Sequence, residues 1–299
     1  MAERARPGWI ERRERGTEAL LRAMTFLSLR LGRRASRVLL HLIAAYFFLF
    51  GPAERRAMLQ YLRRVLGREP SPADRYRLIL NFASTVHDRL YLMNERYDLF
   101  DITLEGTELV STCYERGDGA FLMGAHMGSF EVTRSIGLRQ PGLKVSMAMY
   151  ADNARRINTL LVAINPELRP DIIPLGTLDA MLQIRARLDA GVFVGVLGDR
   201  TLDAEPLAPV TFLGAPAGFP SGAMRAAALL ERRVIFMVGL YRGGNRYHVV
   251  FEPLADFSNT PARARAAAVS AAIARYAALL ERHCRADPYN WFNFYEFWQ

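Results

Sequence analysis

From residue 101 onward the chain alternates short apolar runs with longer helical stretches, and that rhythm leaves few architectures open. Residues 120–125, 144–149, 171–175 and 191–197 are short and almost wholly apolar, and helical patterns follow them. Residues 101–106 form a short alternating run ending in Gly106, and 234–240 and 247–251 add two more apolar runs. A run apolar on both faces is a strand covered on both faces, and strands alternating with helices at this spacing give parallel pairing. The expectation is an α/β fold with a mixed, largely parallel sheet covered by helices on both faces. Thr260-Pro261 predicts the start of an Ala-rich helix reaching about residue 285. The Gly- and Pro-rich segment 212–222 reads either as a mobile wall of an apolar pocket or as a connector. The last twelve residues hold seven aromatics, which must dock on the body or on a ligand.

The first quarter of the chain is different. Residues 1–75 hold 16 Arg and 7 acidic residues, the whole of the net charge of +9. The remainder is balanced, so the basic working face of a nucleic-acid binder is missing and no nucleic-acid partner is expected. A hydrophobic content of 51% excludes disorder. The charged opening, MAERARPGWIERRERG, is no cleavable signal peptide. From Thr17, Leu20, Leu21, Met24, Leu27 and Leu31 recur at helical spacing, with Arg22, Arg30, Arg33, Arg34 and Arg37 between or after them.

Residues 38–50 are the most apolar run and stop at Gly51-Pro52. The run falls short of the roughly 20 residues that a spanning helix needs. It reads as a buried core helix or as a monotopic element between Arg clusters that dips into an anionic leaflet, and the two are compatible. A third helical segment covers about 72–94. The chain therefore divides into a helical, membrane-associating region, 1–98, and an α/β domain with a C-terminal helix and aromatic tail, 99–299. Residues 1–75 are expected to meet an anionic membrane surface, peripherally or monotopically, at the cytoplasmic face of a bacterial inner membrane.

In open α/β sheets ligands bind beyond the carboxyl ends of strands, and two such ends carry chemistry. The first reads Gly124-Ala-His126-Met-Gly128-Ser129-Phe-Glu131. His126 would present its imidazole at the sheet edge, and Glu131 could accept a hydrogen bond from one ring nitrogen, leaving the other as a general base. A His near a Glu is also commonly structural. Backbone N–H groups at the following helix start could hold an anion or oxyanion. No Gly-x-Ser-x-Gly elbow is present, so the nucleophile would be a substrate hydroxyl. The second end reads Leu197-Gly-Asp199-Arg200. It is either a salt bridge closing the sheet or an Arg200 that meets a phosphate or carboxyl group, oriented by Asp199. His41, His87, His248 and His283 show no metal-ligand spacing, and the two cysteines, Cys113 and Cys284, build no disulfide framework.

In order, His126-x4-Glu131, Met149-Tyr-Ala-Asp-Asn153, Gly-Asp199-Arg200 and Phe-Leu-Gly-Ala-Pro-Ala-Gly-Phe-Pro-Ser-Gly resemble the lysophospholipid acyltransferase superfamily. The resemblance is to the branch of the late lipid A (lauroyl/myristoyl) acyltransferases and covers nearly the whole chain. It implies a glycerol-3-phosphate acyltransferase-like fold and transfer of an acyl chain from an acyl carrier protein or coenzyme A thioester to a hydroxyl of a membrane lipid or glycolipid. His126 would be the base, held by Glu131, with direct attack and no acyl-enzyme. Gly128, Ser129, Asn153, Asp199 and Arg200 would line the substrate site, with no metal or bound cofactor. The alternative is a lipid- or acyl-carrier-binding protein that kept the fold without the chemistry. The tail lacks the basic Trp/His/Arg character common in lipid A enzymes, which leaves the acceptor open.

Overall fold

The computed structural model describes residues 18–50, 52–133, 142–150, 171–177, 179–200 and 206–298. Three helices lead: α1 (Glu18–Phe50), α2 (Pro52–Leu66) and α3 (Pro72–Leu92). Then come β1 (Asp101–Glu105), α4 (Thr107–Glu115), β2 (Phe121–Gly124), α5 (Phe130–Thr133), β3 (Val145–Tyr150) and β4 (Ile172–Leu175). The rest is α6 (Ala180–Asp189), β5 (Phe193–Leu197), β6 (Leu207–Phe212), β7 (Ala215–Pro220), α7 (Gly222–Leu229), β8 (Arg233–Tyr241), β9 (Arg246–Asp256) and α8 (Arg265–Ala286).

Seven strands form one sheet in the order β1-β9-β8-β2-β5-β3-β4. Every pair in it is parallel except β8 with β9. Successive side chains of a strand point to opposite faces, and here both faces are covered. Phe121 and Met123 of β2 join a core with Val194, Phe236 and Tyr276, the last from α8. Leu122, between them, joins a second core with Val110 and Cys113 of α4 and with Phe193 and Ile235. The mixed, largely parallel sheet between helical layers agrees with the sequence expectation.

Two local expectations are corrected, and two features of the leading helix are added. Residues 212–222 are neither a connector nor a loose wall: β6 and β7 form an antiparallel hairpin turning at Leu213-Gly214, with Phe212 and Phe219 fully buried. Thr260 does not start a helix. A 3-10 turn, Ala262–Ala264, intervenes and α8 begins at Arg265 without a side-chain cap. The leading helix breaks at Gly32, whose φ of 77° and ψ of 162° are non-helical. Just past that break, Arg33 is buried against α3, its Nε and Nη2 donating to Asp88 at 2.8 Å each, with Tyr247 also donating to Asp88. Arg33 is therefore a fastening of α1 to the body, not part of a free cationic face. Helices α2 and α4 are additional to the expected set, and the helix expected from about Asn153 lies outside the described residues.

The start of α3 was legible. Ser71 accepts from the Asp74 N–H, Asp74 Oδ2 accepts from the Ser71 N–H, and Pro72 occupies the first turn. Asp74 also accepts from Arg68 and from the Tyr289 hydroxyl, tying the helix to the C-terminal tail. Ser71→Ala is expected to lower stability by about 1 kcal/mol, the usual worth of such a cap. Urea unfolding of the purified protein checks this, with an unchanged m-value expected.

Candidate active site

The register of two parallel strands assembles the site. Gly124, the last residue of β2, lies opposite Leu197, the last of β5. Two residues beyond each end, His126 and Asp199 therefore emerge side by side. Nδ1 of His126 lies 2.8 Å from Asp199 Oδ1, and the His126 backbone N–H donates to Oδ2 at 3.0 Å. Trp291 Nε1–H donates to the same Oδ2 at 3.0 Å. Three donors thus converge on one carboxylate that is only 1% exposed.

Burial alone would raise the Asp199 pKa. The imidazole, the Arg200 charge and the indole N–H outweigh it and hold the carboxyl well below the usual carboxylate range. An ionised Asp199 only accepts, so Nδ1 carries the proton and Nε2 keeps its lone pair. The His126 pKa is lowered, first by burial and then by the Arg200 charge, against the opposing pull of Asp199. The ring is therefore neutral near neutral pH. Its side chain remains 34% exposed, and among the described residues Nε2 has no hydrogen-bond partner. A neutral imidazole, oriented from behind by a buried carboxylate and open in front, is the arrangement of a general base.

The segment after His126 is stitched down on both sides. Gly128 N–H donates to the Asn290 carbonyl and Ser129 N–H to the Gly239 carbonyl, each at 2.8 Å. Gly128 has φ +66°, and a Cβ there would lie 1.9 Å from the Gly239 oxygen. Only glycine fits this approach of the loop to β8. The N–H groups of Met127, Gly128 and Ser129 are therefore spent within the protein, which leaves only those of the helix itself for an anion. The helix beyond them, α5, has four described residues.

Glu131 is not the partner of the His126 ring. It faces α3, where its Oε1 lies 2.7 Å from Arg89 Nε, and its Oε2 accepts from Ser129 Oγ at 3.3 Å. Asp199 occupies the position expected of Glu131. The reason is register: β5 is the hydrogen-bonded neighbour of β2, while α5 turns Glu131 toward the helical layer.

Arg200 is committed to the tail. Its Nη2 donates to the Phe292 carbonyl at 2.7 Å, and its guanidinium stacks 5.1 Å from the centre of the Tyr295 ring. The two readings of the Asp199-Arg200 end thus resolve into a third, in which Asp199 holds His126 and Arg200 holds the tail. Asn153 lies outside the described residues.

The aromatic tail docks on the body, at the site itself. Phe292 N–H donates to the His126 carbonyl at 2.8 Å, and Met127 pairs with Trp291 as an antiparallel bridge. Tyr295 donates to the Asp199 carbonyl at 3.0 Å, and the Asn290 side chain bonds both the N–H and the carbonyl of Tyr241. The Trp291 ring packs edge-on to Tyr61 of α2, 5.0 Å between centres. Trp291 and Tyr295 were not singled out from sequence. Their signal was the aromatic density of the tail, which showed that it docks but not on what. Among the described residues no group of three or more His, Cys, Asp or Glu is placed to hold a metal ion.

Among the described residues, this end of the parallel sheet thus brings together one histidine and one buried carboxylate. The chain belongs to the family of bacterial lipid A biosynthesis acyltransferases, whose family model matches residues 13–299. That family membership makes acyl transfer, with lipid A-like acceptors, the activity of its class. Among curated proteins no match was found.

Proposed function

We propose that the protein is an O-acyltransferase that moves a fatty acyl chain from an acyl carrier protein or coenzyme A thioester to a hydroxyl of a membrane lipid or glycolipid. The observation that carries this reading is the His126 ring, with Nδ1 fixed on buried Asp199 and Nε2 open. Nε2 takes the proton of the acceptor hydroxyl as its oxygen attacks the thioester carbonyl carbon. The tetrahedral intermediate collapses, the C–S bond breaks, and the thiolate leaves with the proton from Nε2. Asp199 stabilises the imidazolium between the two transfers. No acyl-enzyme and no metal or bound cofactor enters this scheme.

The proposed location is the cytoplasmic face of a bacterial inner membrane, with the protein peripheral or monotopic. No single described helix is long and apolar enough to cross a bilayer, and the stretches Phe26–Phe50 and Glu54–Leu66 bend by 96° from one another. Val38, Leu42 and Leu49 of α1 are each 68% exposed, and Phe26, Leu31 and Phe50 are also exposed. Exposed apolar side chains in this number are costly in water and favourable at an interface. Arg56, Leu59, Gln60, Arg63 and Arg64 border an open depression on the adjoining α2, whose cations suit an anionic leaflet.

Lipid mass spectrometry of a deletion strain against wild type tests the transfer. One lipid species is expected to lose one acyl mass and to regain it on complementation. An unchanged lipid profile, with acyl thioester bound but not consumed by the purified protein, would instead support a non-catalytic binding protein. Replacing exposed Val38, Leu42 and Leu49 by Ser in the full-length protein is expected to abolish co-sedimentation with anionic vesicles; retained sedimentation would refute the attachment.

A further inference from the structure

Two guanidinium groups belong to this end of the sheet: Arg200 follows Asp199, the partner of the His126 ring, and Arg89 of α3 meets Glu131, on the segment that follows His126. Arg200 spends Nη2 on the Phe292 carbonyl and its face on the Tyr295 ring. Among the described residues Arg89 has only the Glu131 carboxylate as a partner. It projects from α3 toward α5 and meets Glu131 through Nε at 2.7 Å, close in distance but without an aligned N–H. Among the described residues no side-chain N–H of Arg89 makes an aligned hydrogen bond. Its side chain stays 28% exposed while that of Glu131 is 15% exposed.

One carboxylate satisfies the charge of a guanidinium but not its five donors. A partly desolvated guanidinium with idle donors, beside an open base, is ready to accept an oxyanion in a forked geometry. Thioester carriers and membrane lipids both present such a group as phosphate.

We propose that Arg89 is an anion-binding residue of the transfer site, taking a substrate phosphate, and that Glu131 acts as its positioning residue rather than as the partner of His126. The proposal rests on the acyl-transfer reading for its choice of substrates, but not for the binding that tests it. Glu131, held in turn by Ser129 Oγ, lies against the Nε edge of Arg89, so the two terminal nitrogens remain for a ligand. The His-x4-Glu spacing then serves two tasks: the His moves a proton, and the Glu sets the cation that seats the substrate.

The test compares full-length wild type with Arg89→Gln, Arg89→Lys and Glu131→Gln in neutral detergent micelles. Dissociation constants are measured for two matched pairs of probes. Palmitoyl-coenzyme A is set against S-palmitoyl-N-acetylcysteamine, the same thioester without phosphate. Dioctanoyl phosphatidic acid is set against dioctanoylglycerol, the corresponding lipid without phosphate. Arg89→Gln is expected to weaken the phosphate-bearing member of one pair by about 10- to 100-fold, the scale of one charged hydrogen-bonding contact. Its phosphate-free partner should stay within about twofold.

The pair that responds identifies donor or acceptor as the source of the phosphate. Arg89→Lys should restore most of the affinity, and Glu131→Gln should show the same selective loss in weaker form. Equal loss for both members of a pair, or no loss in either pair, overturns the proposal. His126→Ala, which leaves binding in place, separates this from the transfer reading. Turnover retained in that variant would refute the base while leaving the Arg89 result standing.

Discussion

His126→Ala is expected to lower acyl transfer by about 100- to 10,000-fold, the range that a positioned base contributes. The fold should survive, because the ring is not a core side chain: it is one-third exposed, and its links to the protein are one side-chain bond and backbone bonds that alanine retains. The variant should bind substrates with near-native affinity and show unchanged circular dichroism. Turnover close to wild type would mean that the proton is taken elsewhere.

Asp199→Asn is the sharper substitution, because it preserves shape and reverses chemistry. The asparagine oxygen can still accept from Trp291, but its amide donates to Nδ1. The ring proton then moves to Nε2, and the lone pair that should receive the acceptor proton is lost. The negative charge that stabilises the imidazolium is lost with it. The expected loss in turnover is again about 100- to 10,000-fold, with substrate affinity little changed. Glu131→Gln should behave differently, acting through substrate binding and leaving the ionisation of His126 in place. Steady-state kinetics on one thioester donor, with kcat and KM resolved for both variants, distinguish them. A tautomer-type collapse of kcat in Glu131→Gln, with Asp199→Asn spared, would reverse the assignment.

The strands were legible because burial on both faces leaves a continuous apolar mark. Residues 120–125 and 191–197 carry it, and both strand ends that form the site were identified from it. That these two strands are neighbours was not legible. Their pairing is a non-local choice, and His126 and Asp199 are 73 residues apart in sequence. Sequence spacing therefore favoured the local candidate, Glu131, over the partner that the register supplies.

Hairpin β6–β7 was missed for a related reason. Its Gly and Pro residues read as a connector, while burial of Phe212 and Phe219 depends on the aromatic tail that packs over them. Arg33 shows the same limit in the leader. Helical spacing set it only between or after the apolar positions, and the position of Asp88 on α3 reveals that it is buried.

The proposed base of the reaction is a neutral His126, kept in one tautomer by ionised Asp199. Burial and the Arg200 charge lower the pKa of the ring, and protonation removes the base, so the rate must fall as pH falls through that lowered value. The most direct measurement is the pH dependence of kcat/KM on a micelle-dispersed thioester donor. The prediction is a single acid limb centred below the ordinary imidazole range, with a plateau through neutral pH. A rate that rises as the pH is lowered through that range, or an acid limb centred above it, would contradict the account.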